Sequence, residues 1–235
     1  MILSDAHVLV TGGSAGIGLA IARLLSQRGA QVAICGRQEK PLLAAAEEMG
    51  AVAIKADISD ENDVVELIPA VIEELGGYDT LINNAGIGSS AQLVDLASAD
   101  FRRVWETNVL GAMLVARESA RYFVARSFGN IINIASTAAG RGYPGGTTYV
   151  ASKFALAGMS ECWRSELRKH NVRVIQINPS EVLTNFRSNA GIGAQPDNPT
   201  KLRSEDVAHV VAGALEMDDR GLVTETTIWA TNPKD

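Results

Sequence analysis

Short apolar runs rich in β-branched residues recur at His7–Val10, Gln31–Cys35, Val52–Lys55, Thr80–Asn83, Asn130–Ala135, Val172–Ile177 and Thr224–Trp229. Their length suits strands buried on both faces. Between them, apolar residues return at three- and four-residue steps over Ile17–Gln27, Leu42–Met49, Asp63–Leu75, Phe101–Arg126, Ser152–Lys169 and Ser204–Met217. That is the period of a helix with one apolar face. Strands alternating with helices need crossover connections, and right-handed crossovers give a parallel sheet covered on both faces. The pattern predicts an α/β fold, a single Rossmann-like, doubly wound, mostly parallel seven-stranded sheet.

No internal repeat, low-complexity tract or linker interrupts the alternation, so residues 1–235 are expected to form one dinucleotide-binding and catalytic domain. The long irregular stretch 185–201, with Gly191, Gly193, Pro196, Asn198 and Pro199, follows the sixth strand. Ligands bind at that end of an open α/β sheet, so the stretch reads as a substrate lid; a surface loop is the alternative.

Composition narrows the classes. With 46% hydrophobic and 20% charged residues, neither disorder nor a membrane class is indicated. The first apolar run is too short for a span and lacks signal-peptide flanks, which points to a cytoplasmic protein. The net charge of -6 comes with scattered Lys and Arg, so no nucleic-acid footprint is visible. Cys35 and Cys162 fall in a strand and a helix and are expected to be buried, reduced thiols. His7, His170 and His209 form no short-spaced pair, so no catalytic metal is expected.

After the first strand, Thr11-Gly12-Gly13-Ser14-Ala15-Gly16-Ile17-Gly18 leads into a helix. Glycines let backbone approach a pyrophosphate, whose charge then meets the free N–H groups of the helix N-terminus. The same residues also fit the Gly-x-Ser-x-Gly elbow of a hydrolase with Ser14 as nucleophile, which would need an acid and a histidine at later strand ends. At the end of the second strand, where NAD selection uses a carboxylate, the chain has Cys35-Gly36-Arg37. Arg37 offers a planar fork for a 2′-phosphate, which favours NADP(H). Asp57, past the third strand, either meets the adenine amino group or N-caps the next helix.

Tyr149 and Lys153 stand one helical turn apart and project from one face, so the ammonium is expected to lower the phenol's pKa. Ser136 ends the fifth strand at the sheet edge, within reach of a substrate oxygen. Asn108 lies inside a long helical pattern, where asparagine competes for backbone bonds and can hold a water or a kink.

These residues together resemble the short-chain dehydrogenase/reductase family over nearly the whole chain: the turn Thr11–Gly18, Asn83-Asn84-Ala85-Gly86 after the fourth strand, Asn108, Ser136, and Tyr149 with Lys153. The resemblance implies an NADP(H)-dependent oxidoreductase moving a hydride between nicotinamide and a small carbonyl or alcohol, as a ketoreductase. It implies that Tyr149 exchanges the proton, Lys153 also binds the nicotinamide ribose, Ser136 orients the carbonyl, and Asn108 holds a water linking Lys153 to a proton relay. Asn84, with Ala85 and Gly86, would shape the cofactor site, and Thr184 would contact the carboxamide. A homotetramer or homodimer is also implied, with Leu110, Met113, Leu114 and Val115 assignable to core or interface. Two departures stand out. Pro179-Ser180 replaces the common Pro-Gly beside the cofactor, and the tail Thr226–Pro233 lacks the family's glycines. The loop Thr137–Thr148 is expected to floor the pocket and Phe186 to close it, while Arg141 either meets an anionic substrate or faces water. A non-catalytic NADP-binding sensor or scaffold is the rival reading; it predicts a degraded catalytic set.

Overall fold

The computed structural model describes residues 1–193 and 196–232. Ala194 and Gln195 of the expected lid, and Pro233 of the tail, lie outside the described residues. Within them, β1 (His7–Thr11), β2 (Gln31–Gly36), β3 (Val52–Lys55), β4 (Thr80–Asn83), β5 (Gly129–Ile134), β6 (Val172–Pro179) and β7 (Glu225–Ile228) form one sheet, ordered β3-β2-β1-β4-β5-β6-β7. Every pairing is parallel. The order reverses between β1 and β4, where Leu9 pairs with Leu81. Crossovers depart in opposite directions from that point and leave a crevice at the strands' C-terminal ends.

The inner strands β1, β2, β4, β5 and β6 are buried almost throughout because both faces of the sheet are covered, whereas the edge strand β7 stays half exposed. Val8 and Val10 point to one side and Leu9 to the other, since neighbouring side chains alternate. On the first side pack α1 (Gly16–Gln27), α2 (Glu39–Met49) and α7 (Ser204–Glu216), with Ile21, Leu25, Leu42, Val207 and Val211 in the core. On the second pack α3 (Glu61–Leu75) and α5 (Ala112–Arg126), through Val64, Leu67, Leu114, Val115 and Phe123. Leu114 and Val115 are therefore core, whereas Leu110 is exposed.

Three expectations change. The helix predicted over Phe101–Arg126 is α4 (Ser98–Trp105), a π turn (Glu106–Gly111) and α5. The wider turn seats Asn108 inward, and Gly111 lets the chain pass close to Ile58, where a Cβ would stand 2.9 Å from its Cγ1. The helix α6 begins at Thr147, not Ser152, and runs to Leu167. Its first turns bury Thr148, Ser152 and Lys153, polar residues that hide the helical period from an apolar count. Cys162 is exposed on α6; only Cys35 is buried.

Candidate active site

The turn between β1 and α1 is shaped by what glycine alone permits. Gly12 and Gly16 adopt φ of +65° and +55°. A Cβ on Gly18 would collide with the Gly12 carbonyl and with the Asn84 side-chain amide. The Gly12 N–H donates to the Cys35 carbonyl at 2.9 Å, folding the turn back onto β2. No side chain caps α1, so its first N–H groups stay open to an anion.

Thr11 locks this turn to the next loop. Its Oγ1 accepts from the Asn84 and Ala85 N–H groups at 3.0 and 2.9 Å, and Asn84 Nδ2 donates to the Thr11 carbonyl at 2.9 Å. The sequence pattern marked Asn84 but not the threonine's part. A hydroxyl residue closing an otherwise apolar strand was the available signal.

Asn108 holds the far side of the same loop. Its Oδ1 accepts from the Ile87 N–H at 2.8 Å, and its Nδ2 donates to the Ile87 carbonyl and to Ser152 Oγ, at 2.9 and 3.0 Å. Ser152 Oγ donates to the Tyr149 carbonyl at 2.7 Å. The side chain thus reaches the helix of Tyr149 and Lys153 through Ser152, a residue the sequence reading passed over.

A cavity of about 290 Å³ runs from Gly12, Gly16 and Ile17 to Ser136, Tyr149 and Lys153. Asn84, Gly86, Pro179 and Thr184 also line it. Thr184 stands opposite Gly16, its Cγ2 3.5 Å from where a Cβ there would lie. Ser180 donates its N–H to the Ile228 carbonyl and has no positive φ, so the position does not require glycine.

Lys153 is buried and donates from Nζ to the Ile134 carbonyl at 2.8 Å. Burial lowers its pKa to about 8. Its Nζ lies 5.7 Å from the centre of the Tyr149 ring. Burial raises the Tyr149 pKa above the usual phenol value, with the Ser136 hydroxyl opposing the shift. This reverses the expected lowering: desolvation of the phenolate outweighs an ammonium whose hydrogen bond is directed at a carbonyl. Ser136 Oγ also accepts from the Ala138 N–H at 3.1 Å. Phe186 packs on Tyr149 with ring centres 5.2 Å apart.

The remaining predicted residues lie apart from this cavity. Arg37 Nη1 is 3.8 Å from Asp57 Oδ2, placing both past the ends of the neighbouring strands β2 and β3. Asp57 does not cap α3; Asp60 does, accepting from the Asn62 N–H. The Asp57 carboxylate instead accepts from the Ser59 N–H and hydroxyl, because it precedes the helix by a full turn of loop. Ser14 is outside the cavity lining, and so are all three histidines. His7 is bound to Asp79, His7 opening β1 and Asp79 directly preceding β4, at the N-terminal ends of the strands, opposite the cavity. A hydrolytic triad on Ser14 has no partners here. Among the described residues no cluster of ligating side chains suits a metal, and no helix is long and apolar enough to cross a membrane.

A family model described as short chain dehydrogenase matches residues 6–195. The chain belongs to the short-chain dehydrogenase/reductase family. It is 34% identical over 215 residues to carbonyl reductase family member 4 of Xenopus tropicalis, covering 88% of this chain and 89% of that one. An uncharacterized oxidoreductase of Bacillus subtilis is 33% identical over 196 residues; the match takes in 80% of this chain and 55% of that longer protein. Among solved structures, the closed form of serine dehydrogenase complexed with NADP+ superposes with a TM-score of 0.89 at 28% identity, covering 94% of this chain and 93% of that one. The 3-ketoacyl-(acyl-carrier-protein) reductase of Brucella melitensis complexed with NADH gives 0.88 at 27% identity, covering 96% and 97%. This short-chain dehydrogenase/reductase is accordingly an oxidoreductase, similar to solved structures that hold NADP+ and NADH.

Proposed function

We propose that the chain is an NADP(H)-dependent ketoreductase that acts on a small-to-medium carbonyl compound, with Asn108, Ser136, Tyr149 and Lys153 as its catalytic set. The observation that carries this reading is one cavity with the glycine turn at one end and Ser136, Tyr149 and Lys153 at the other. The open N–H groups of α1, the close-packed Gly18 and the facing Thr184 fit a dinucleotide. When bound there, the nicotinamide would supply the hydride.

The chain's own residues manage the proton and the geometry. Ser136 Oγ donates to the carbonyl oxygen and fixes its position beside Tyr149. The Tyr149 phenol, lining the cavity beside Ser136, donates its proton to that oxygen as it gains charge. Lys153 lies beside the ring and stabilises the phenolate left behind. Asn108 is a positioning residue, fixing the 84–87 loop and Ser152. Arg37 supports the choice of NADP(H), since its fork is more than half exposed and its contact with Asp57 is long. Asp57, at the same strand ends, would face the adenosine.

The same reading includes a single catalytic domain over residues 1–235, a cytoplasmic setting supported by two free thiols, and a homodimer or homotetramer. An oligomer is supported by the exposed apolar side chain of Leu110, while Met113 packs half-buried against the core. Titration with NADPH and with NADH, followed by nucleotide fluorescence, tests the reading at its base. Tight binding of NADPH with turnover of simple ketones is expected; failure to bind either nucleotide overturns it.

A further inference from the structure

Beyond Ser136 and Tyr149, on the side away from the glycine turn, lies a second cavity of about 510 Å³. It shares Ser136, Tyr149 and Phe186 with the first, so a carbonyl placed at Tyr149 would extend its remaining atoms into this space. The protein carries a net charge of -6, yet among the described residues the charged groups of this wall are Arg141, Arg187, Lys201 and Glu181. Glu181 meets Arg187 at 3.1 Å and Lys201 at 2.8 Å. Arg187 and Lys201 thus both meet the Glu181 carboxylate, whereas among the described residues Arg141 has no carboxylate within ion-pair reach.

Arg141 is nonetheless held in place. Its guanidinium lies 4.9 Å over the centre of the Trp229 ring, the residue that follows β7. A guanidinium stacked on an indole presents its N–H donors outward along its edge while part of its conformational freedom is already lost. That edge matches the two oxygens of a carboxylate.

We infer that the substrate is an oxo acid, its carboxylate held by Arg141 on the Trp229 platform and its carbonyl at Ser136 and Tyr149. The inference rests on the ketoreductase reading and adds the substrate's chemical class. Arg141 is then the residue that determines specificity, supported from a tail that lacks the family's glycines.

The test uses the full chain with NADPH and matched pairs: 4-oxopentanoate and 5-oxohexanoate, each against its methyl ester. For at least one chain length, kcat/KM for the acid should exceed that for the ester by about tenfold or more, the worth of one charge-assisted bidentate pair. In Arg141→Gln the ratio should fall towards unity through a higher KM for the acid, and Arg141→Lys should restore part of it. Independently of turnover, 4-oxopentanoate should change tryptophan emission saturably, and the change should vanish in both Trp229→Phe and Arg141→Gln. Equal handling of acid and ester with no saturable emission change overturns the oxo-acid assignment and leaves the ketoreductase reading standing. Preference for hydroxyacetone phosphate over both acids overturns the carboxylate assignment. Failure of NADPH to bind overturns the ketoreductase reading itself, and the emission titration then decides the carboxylate site alone.

Discussion

The side-chain amide of Asn108 pairs with the backbone of Ile87 as a neighbouring strand would, accepting from its N–H at 2.8 Å and donating to its carbonyl at 2.9 Å. The π turn makes this possible by seating Asn108 inside, where a regular helix would leave a different side chain facing the loop. Asn108→Ala leaves both Ile87 groups and Ser152 short of a partner. The expected cost is about 2 kcal/mol, seen as a lower midpoint in thermal unfolding, together with a fall in kcat. Asn108→Asp should do no better, because it sets a carboxylate oxygen against the Ile87 carbonyl. An Asp variant as stable and active as the parent would contradict this role.

Tyr149→Phe removes the proton donor and little else, since the ring and its contact with Phe186 remain. Turnover should fall by about 10²–10⁴-fold, the usual worth of a positioned general acid. NADPH titration of the same variant should match the parent, and a variant that still turns over at the parent rate would remove Tyr149 from the mechanism.

Arg37→Ala should weaken NADPH binding by about 10–100-fold, the range expected for losing charge-assisted hydrogen bonds to a phosphate. NADH binding should change little. Parallel fluorescence titrations decide it; equal losses for both nucleotides would show that Arg37 acts through the fold and not through the 2′-phosphate.

Lys153 gives a pH dependence of defined sign. Burial holds its folded-state pKa near 8, below its ordinary value of 10.5. Between those values the unfolded chain binds the proton and the folded chain does not, so stability rises with pH across that window. Below about pH 8 the folded protein bears the full cost of the buried charge. Denaturant unfolding of the nucleotide-free protein should gain on the order of 3 kcal/mol between pH 8 and 10.5 relative to Lys153→Met. Parallel stability curves for parent and variant would place the ammonium in a more solvated setting than the Ile134 carbonyl provides.

The layering of this protein is legible in its residue pattern alone. Seven apolar runs alternating with helical periods admit few arrangements once crossovers must be right-handed, and the seven parallel strands follow from that. The same pattern also set the glycine turn and the spacing of Tyr149 and Lys153, because both are local: a positive φ and a one-turn offset are properties of adjacent residues. The remaining features depend on contacts between distant parts of the chain. Asp57 lost the capping role to Asp60 because a loop's path fixes which carboxylate meets a helix's first N–H groups. Tyr149 was raised and not lowered because burial depends on what covers a residue, and Phe186 comes from a distant part of the chain. Trp229 and Arg141 are 88 residues apart yet share one cavity wall, a relation created by β7 joining the sheet edge. Periodicity and spacing report what neighbours in the chain can do, whereas desolvation and charge balance depend on which surfaces the fold brings together.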